Sequence, residues 1–482
     1  MRRARKDELW CEANSAFHRK GIFLKPLANA LQESAEINNL IQKLVHQVSS
    51  LSEKIQRPQP RQEDAAIKSA EQIQEVGRWR GRPLFYDYIG SGLGHGAYVE
   101  LEDGSIKLDL INSIGVNILG HSHPRVIAAS LRGALQDVVM QGNLQPNKEY
   151  CEFTRELVQI ASRNSRLRHG WLATCGSMAN ENALKIARQK RTPARKILTM
   201  VNAFAGRSTM MAEITDNPDF KQGLPEYHEV LRVPFYDKKN PQSGERSLEI
   251  MKKHILENKG NICVFTFEPM QGEGGYRVAN HEFFMPLLKL AREHQIPIWA
   301  DEVQTFTRTG NFFAFETLGF GDYVDLCTIA KTAQNGATLY TPEMNPAPGL
   351  IAGTFSGSSA SLSAGLETLR ILDREDYMGP EGKVMQIHNE FIGMLQRLSD
   401  TTCKGLIQDF EGMGLMIAMT PLDGSKETQG KVLKTLFKNG LIAFGCGHDP
   451  YRVRFLVPAV ITTKDIAMAG EIIEKTLREL SP

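Results

Sequence analysis

The sequence predicts an α/β fold, with a mostly parallel sheet covered by helices on both faces and a smaller α+β unit after it. Three observations lead there. From Leu84 onward, short apolar runs alternate with amphipathic stretches, reading as strands at Trp171–Thr174, Ile197–Val201, Ile262–Phe267, Ile298–Val303 and Asp325–Ile329, and as helices at Ser177–Lys190, Ser247–Glu257 and Glu282–Glu293. After Ala360 the order becomes helix, strand (Leu415–Met419), helix, strand (Leu441–Phe444), strand (Val453–Leu456) and a final helix from Thr463. The chain has 482 residues, 41% of them hydrophobic, enough for two or three packed units with a large core.

The segment before Leu84 is organised differently. Ile37, Ile41, Leu44, Val48, Leu51 and Ile55 are separated by alternating four and three residues, the spacing of a coiled-coil seam. The run stops at Pro58 and Pro60, short of the roughly three to four heptads that define such a seam, so a helix packing on its own domain is the simpler reading. The polar stretch Arg57 to Asp64 reads as a linker, and a second helix is expected over Ala65 to Val76. Residues 1–80 are therefore expected to be a helical extension outside the main fold.

Charge and cysteine usage narrow the class of partner. Lys and Arg total 57 against 55 for Asp and Glu, and a net charge of +2 gives no field to hold a nucleic acid backbone or an anionic membrane. A small-molecule partner is expected instead. Cys11, Cys151, Cys175, Cys263, Cys327, Cys403 and Cys446 are odd in number and contain no C-x-x-C pair, which suits free thiols in a reducing compartment. No apolar run approaches the ~20 residues of a membrane helix. Arg2, Arg3, Arg5 and Lys6 are followed at once by Asp7, Glu8 and Glu12, unlike an acid-poor transit peptide. The expected location is cytoplasmic.

Three expected strands end in polar residues where a buried sheet should simply turn. Phe265-Thr266-Phe267 runs into Glu268-Pro269-Met270-Gln271-Gly272-Glu273, Ile298-Trp299-Ala300 into Asp301-Glu302-Val303-Gln304, and Cys327-Thr328-Ile329-Ala330 into Lys331. Ligands of parallel sheets bind beyond the carboxyl ends of the strands, so an Asp, a Gln and a Lys there can meet one ligand. Cys175-Gly176-Ser177-Met178-Ala179-Asn180-Glu181 turns from a strand into a helix; the glycine admits a phosphate to backbone N–H groups and the helix N-terminus favours its charge, although Ser177 as a plain N-cap would look similar. Gly120-His121-Ser122-His123-Pro124 invites a metal reading, but no carboxylate or cysteine falls at ligand spacing in the sequence around it, and a structural turn is expected.

These motifs, together with Phe204-Ala205-Gly206-Arg207-Ser208, Gly353-Thr354-Phe355 and Val453-Arg454-Phe455-Leu456-Val457-Pro458, resemble those of the class III (ω-amino acid) aminotransferases, in the family's order from about Leu84 to the C-terminus. Relatives of this kind include acetylornithine, ornithine and 4-aminobutyrate aminotransferases. The resemblance implies a fold type I transferase that uses pyridoxal 5'-phosphate. It implies a segment at 81–135 packing with the small domain, a cofactor-binding large domain at 136–360 and a small domain at 361–482. Lys331 matches the Schiff-base lysine, and Asp301 the carboxylate paired with the pyridine nitrogen. Val303 and Phe204 match the residues packed on the ring, and Gln304 the partner of its phenolic oxygen. Gly176 and Ser177 match the phosphate turn, and Thr354 the threonine lent to a neighbouring subunit's phosphate, which implies a homodimer or higher oligomer.

Among substrate contacts, Arg207 matches the arginine for a distal carboxylate, Arg454 the one for an α-carboxylate, and Glu273 the acid that covers Arg454. The implied reaction is a ping-pong Schiff-base transfer of an ω-amino group from a diamine or ω-amino acid to 2-oxoglutarate, with no metal. An aminomutase or decarboxylating relative on the same scaffold is the alternative within the family, and a non-catalytic interaction protein with a residual enzyme fold the alternative outside it. Retention of Asp301, Gln304 and Lys331 counts against the latter. The sequence departs from its relatives at Cys175 and Met178, and after Thr354. It departs also at Gln334-Asn335, where relatives carry glycines, and at Ala205, whose small side chain is expected to enlarge the pocket or loosen the ring stack.

Overall fold

The computed structural model describes residues 26–137 and 143–481, so Cys11 and the basic residues Arg2, Arg3, Arg5 and Lys6 lie outside the described residues. The chain forms two compact units divided between Gln47 and Val48. The first contains the helix Leu27–Glu33 and most of the helix Ala35–Ser52. Leu44 and Leu51, two positions of the expected seam, are exposed. In the second unit a helix covers Glu63–Arg80. The stretch read as a linker is pinned before that helix, because Gln59 and Ile106 exchange backbone hydrogen bonds of 3.0 and 3.2 Å.

Seven strands form the large sheet: β1 (His169–Ala173), β2 (Lys196–Met200), β3 (Val230–Val233), β4 (Ile262–Phe267), β5 (Ile298–Asp301), β6 (Leu326–Ile329) and β7 (Gly336–Tyr340), in the spatial order β1-β7-β6-β5-β4-β2-β3. All neighbours are parallel except β7, which runs antiparallel to both β1 and β6. Strands β4 to β7 are buried throughout, as expected of central strands covered on both faces. The helices Gly176–Lys190, Ser243–Glu257 and His281–Glu293 follow β1, β3 and β4.

The expected strand at Ile298–Val303 stops at Asp301, where the chain turns. Strands β3 and β7 were not anticipated. The latter, Gly-Ala-Thr-Leu-Tyr, is short and opens on a glycine whose absent Cβ would meet the Cys175 carbonyl at 2.6 Å.

The C-terminal part differs more. Two helices, Ser359–Arg374 and Lys383–Asp400, stand where one was expected, parted by a turn containing Gly379, Pro380 and Gly382. The expected strand at Leu441–Phe444 divides at Ala443. Leu441–Ile442 pairs in parallel with Ile106–Asp109 in a sheet with Gly90–His95 and Tyr98–Leu101, whereas Phe444–Cys446 joins the sheet of Ile407–Met413, Met416–Pro421 and Arg452–Leu456. One apolar run thus serves two sheets. Strand Ile407–Met413 was also unanticipated; most of it is half-buried and its polar residues hide the alternation. All six described cysteines are free thiols, and no described helix is long and apolar enough to cross a membrane.

Candidate active site

Adjacent parallel strands β4, β5 and β6 deliver Glu268, Asp301 and Lys331 to one edge of the sheet. Asp301 ends β5 and is enclosed, accepting hydrogen bonds from Asn180 Nδ2 at 2.7 Å and from the Val303 backbone N–H at 3.1 Å. Burial nevertheless pushes its carboxyl up to about 6, against the lowering influence of those donors and of Lys331. Lys331 follows β6 in a left-handed conformation, φ 54°. Burial, then the charges of Arg308 and Arg454, pull its amine down to about 8. Both residues line a cavity of about 360 Å3 together with Gly176, Ser177, Phe204, Val303 and Gln304.

The wall opposite Lys331 is built by close approach. A Cβ at Gly176, the first residue of its helix, would lie 2.7 Å from Val303 Cγ1, so only glycine lets the helix start against that side chain. Gly272 is required for the same reason: its Cβ would meet the Gln304 carboxamide at 2.6 Å. Ser177 Oγ accepts from the Arg207 backbone N–H at 3.4 Å. Gln304 Oε1 is buried without a hydrogen-bond partner, an acceptor aimed at no protein group. Ala205 lines the cavity and is itself buried, its backbone held by Thr215 and Asn180. Thr354 is exposed and does not line the cavity of its own chain.

A wider chamber of about 670 Å3 shares Phe204, Gln304 and Lys331 with this cavity and adds Arg207, Glu273 and Arg454. Arg454, on Arg452–Leu456, is enclosed, and its Nη1 lies 2.7 Å from Glu273 Oε1. Burial opposes its charge, but Glu273 and Tyr276 outweigh burial and hold the guanidinium above its ordinary pKa. Arg207 stands exposed at the rim, its guanidinium carbon 3.6 Å from the centre of the Phe220 ring. In the histidine turn, His121 Nε2 meets Asp109 Oδ2 at 2.9 Å, a carboxylate remote in the motif but adjacent in space.

Two cavity residues escaped sequence reasoning. Glu268 accepts from the backbone N–H groups of Phe204 (3.0 Å) and Gly272 (2.9 Å), tying together the segments that carry Phe204 and Glu273. Burial, and then the charge of Asp301, raise its carboxyl to about 8. Its place at the end of β4, matching Asp301 and Lys331, was the available signal. Asn180 lies three residues after Ser177 and so on the same face of the helix, a spacing that could have singled it out.

Comparison with known proteins decides the family. The family model described as aminotransferase class-III matches residues 90–477. The chain belongs to the class III aminotransferases. It is 30% identical over 397 residues to a LysW-aminoadipate semialdehyde transaminase of Deinococcus radiodurans, covering 81% of this chain and 86% of that protein. It is 29% identical over 410 residues to a 4-aminobutyrate aminotransferase of Mycobacterium leprae, covering 79% and 89%. Among solved structures, a lysine aminotransferase from M. tuberculosis superposes with a TM-score of 0.76 at 20% identity, covering 85% of this chain and all of that one, a likeness of fold. The fold is that of the fold type I enzymes, and the family's cofactor is pyridoxal 5'-phosphate. The residues present fit it: a buried carboxylate with no cation bonded to it, an unpartnered carboxamide oxygen, and a glycine-started helix converge on one cavity.

Proposed function

We propose that this aminotransferase moves an ω-amino group from a diamine or ω-amino acid to 2-oxoglutarate in two half-reactions at one site. The observation that carries the proposal is the enclosed Glu273–Arg454 pair in the chamber that opens on Lys331. Gly176, Ser177 and their helix N-terminus would hold the cofactor phosphate, Phe204 and Val303 the ring faces, Gln304 the phenolic oxygen and Asp301 the pyridine nitrogen, with Lys331 as the covalent anchor. When bound, the cofactor supplies an electron sink for the pair left when a proton leaves the substrate carbon.

The protein's share is orientation and proton handling. Asp301 keeps a proton on the ring nitrogen through its charge. Lys331 Nζ, neutral in a substantial fraction near pH 8, takes and returns the substrate proton. While an ω-amine donor occupies the chamber, Glu273 neutralises Arg454 and denies it an α-carboxylate. When a 2-oxo dicarboxylate enters, Arg454 releases Glu273 and binds the α-carboxylate bidentately, and Arg207 receives the distal one. Thr354, exposed on its own chain, would complete the phosphate site of a second copy. Sedimentation should therefore find a homodimer or larger assembly, and a fully active monomer would contradict that part of the reading.

The test begins with hydride trapping. Borohydride reduction of cofactor-loaded protein followed by peptide mapping should place the pyridoxyl group on Lys331, and Lys331→Ala should abolish turnover. A label on another lysine removes the assignment. Turnover without any added 2-oxo acid would instead identify an aminomutase or a decarboxylating enzyme.

A further inference from the structure

Two guanidinium groups act on Lys331, and they differ in one respect. Arg454 is matched by Glu273 at 2.7 Å. Arg308 is only 1% exposed, and no described carboxylate lies within 4.0 Å of it. It donates instead to backbone carbonyls: Nη1 to Gln304 (3.3 Å) and Phe306 (3.2 Å), and Nη2 to Gly115. Gly115 ends a left-handed turn, Asn112 to Gly115, with φ of 47°, 55°, 57° and 81°, and that turn packs on the Lys331–Ala333 turn. Gln334 fastens the same two segments through Val116, its Nε2 donating to the carbonyl oxygen at 3.2 Å.

A buried cation normally acquires a counter-ion, since leaving one unpaired in a low-dielectric interior is costly. Carbonyl dipoles solvate Arg308 but do not cancel its charge, so its field reaches the neighbouring amine unscreened. We propose that Arg308 is a positioning residue whose unneutralised guanidinium holds the Lys331 amine in its uncharged, nucleophilic form. The inference rests on reading Lys331 as the cofactor-bearing lysine. An amine adds to an aldehyde carbon, with loss of water, only through its free lone pair, so the uncharged fraction sets the rate of attachment. The other charged groups facing Lys331 are Asp301 and Glu273, which favour its protonation, and Arg454, which opposes it. Tyr276 is the titratable group facing Arg308. With Arg454 paired to Glu273, Arg308 is what remains to oppose Asp301.

The test uses the full-length, cofactor-free chain, pyridoxal as the aldehyde and cyanoborohydride as the trap. The rate of labelling at Lys331, located by peptide mapping, is followed between pH 7 and pH 10. Arg308→Gln keeps N–H donors but loses the charge, and should raise the half-maximal pH by about one unit, or roughly tenfold slower labelling at neutral pH. Arg308→Lys keeps the charge and should label near the wild-type midpoint. Should the glutamine variant fail to fold, Arg308→His, neutral over the upper part of the range, takes its place. An unmoved midpoint in the uncharged variant, or a lysine variant displaced as far as the glutamine one, overturns the inference. Labelling of a different lysine would overturn the assignment of Lys331 itself.

Discussion

Removing the carboxylate of Glu273 should convert a selective enzyme into one that confuses the two ends of its substrates. Arg454 is 4% exposed at its side chain and Glu273 32%, so only one member of the pair is fully cut off from water. Breaking a fully buried pair costs about 3–5 kcal/mol, and a surface pair is worth at most about 1 kcal/mol. This intermediate geometry places the Glu273 contribution at about 2 kcal/mol, or a factor of about thirty in the competition between Glu273 and an incoming carboxylate. Glu273→Ala should therefore raise the ratio of kcat/KM for an α-amino donor such as alanine over that for 4-aminobutyrate by about thirty-fold, and should lower KM for 2-oxoglutarate. Steady-state kinetics with each donor, under saturating cofactor, supplies both numbers. An unchanged α-to-ω ratio would refute the switching argument, as would unaltered 2-oxoglutarate kinetics in Arg454→Ala.

Other expectations concern the cofactor cavity and its rim. In the cofactor-free protein, burial raises the folded pKa of Asp301 from 3.8 to about 6, so the folded chain holds that proton more tightly than the unfolded one. The contribution is most favourable below pH 4 and is lost as pH rises towards 6. At about 1.4 kcal/mol per pH unit, wild type should lose up to roughly 3 kcal/mol relative to Asp301→Asn over that interval, measured by denaturant unfolding at each pH; parallel profiles would contradict it. Gly176→Ala places a methyl 2.7 Å from Val303 Cγ1 and should weaken cofactor binding by about 1–3 kcal/mol, read as a dissociation constant by fluorescence quenching. Phe220→Leu removes the ring beneath Arg207; losing about 0.5–1 kcal/mol of cation–π attraction should raise KM for 2-oxoglutarate a few-fold while leaving kcat for the ω-amine half-reaction unchanged.

What could be read from the sequence, and what could not, follows from how locally each feature is encoded. Ile262–Phe267 is a continuous apolar run ending in a polar residue, and its expected bounds coincide with the strand. Asp301 and Lys331 end neighbouring strands, so the topology that brings them together is implicit in the alternation of strands and helices. Glu273 and Arg454 meet only because a strand from the C-terminal region lies beside the loop after β4, which the family resemblance anticipated and residue spacing alone did not. Arg308 was invisible for the opposite reason: its partners are carbonyls, which every residue has. The division at Ala443 is equally hidden, since both halves of that run are apolar and nothing in their pattern marks a change of sheet. Glu268 was quoted within its motif but given no task, because a glutamate bonded to two backbone N–H groups has no sequence signature.

The reversed strand β7 bears on how the reacting nitrogen travels. After β6 the chain does not cross over through a helix but doubles straight back, so Lys331 sits in a tight loop whose two stems, Leu326–Ile329 and Gly336–Tyr340, are both fully enclosed by the sheet. Asn335 braces that loop further, its Nδ2 donating to the Ser356 carbonyl at 2.7 Å. A main chain clamped in this way has no hinge. The nitrogen must reach both its attachment point and the substrate carbon by rotating the four methylenes of its own side chain, like a crane arm on a fixed mast. Substrates of different length thus encounter the same fixed base, and accommodation to them falls to the opposite side of the chamber, where Arg207 stands exposed on the Phe220 ring.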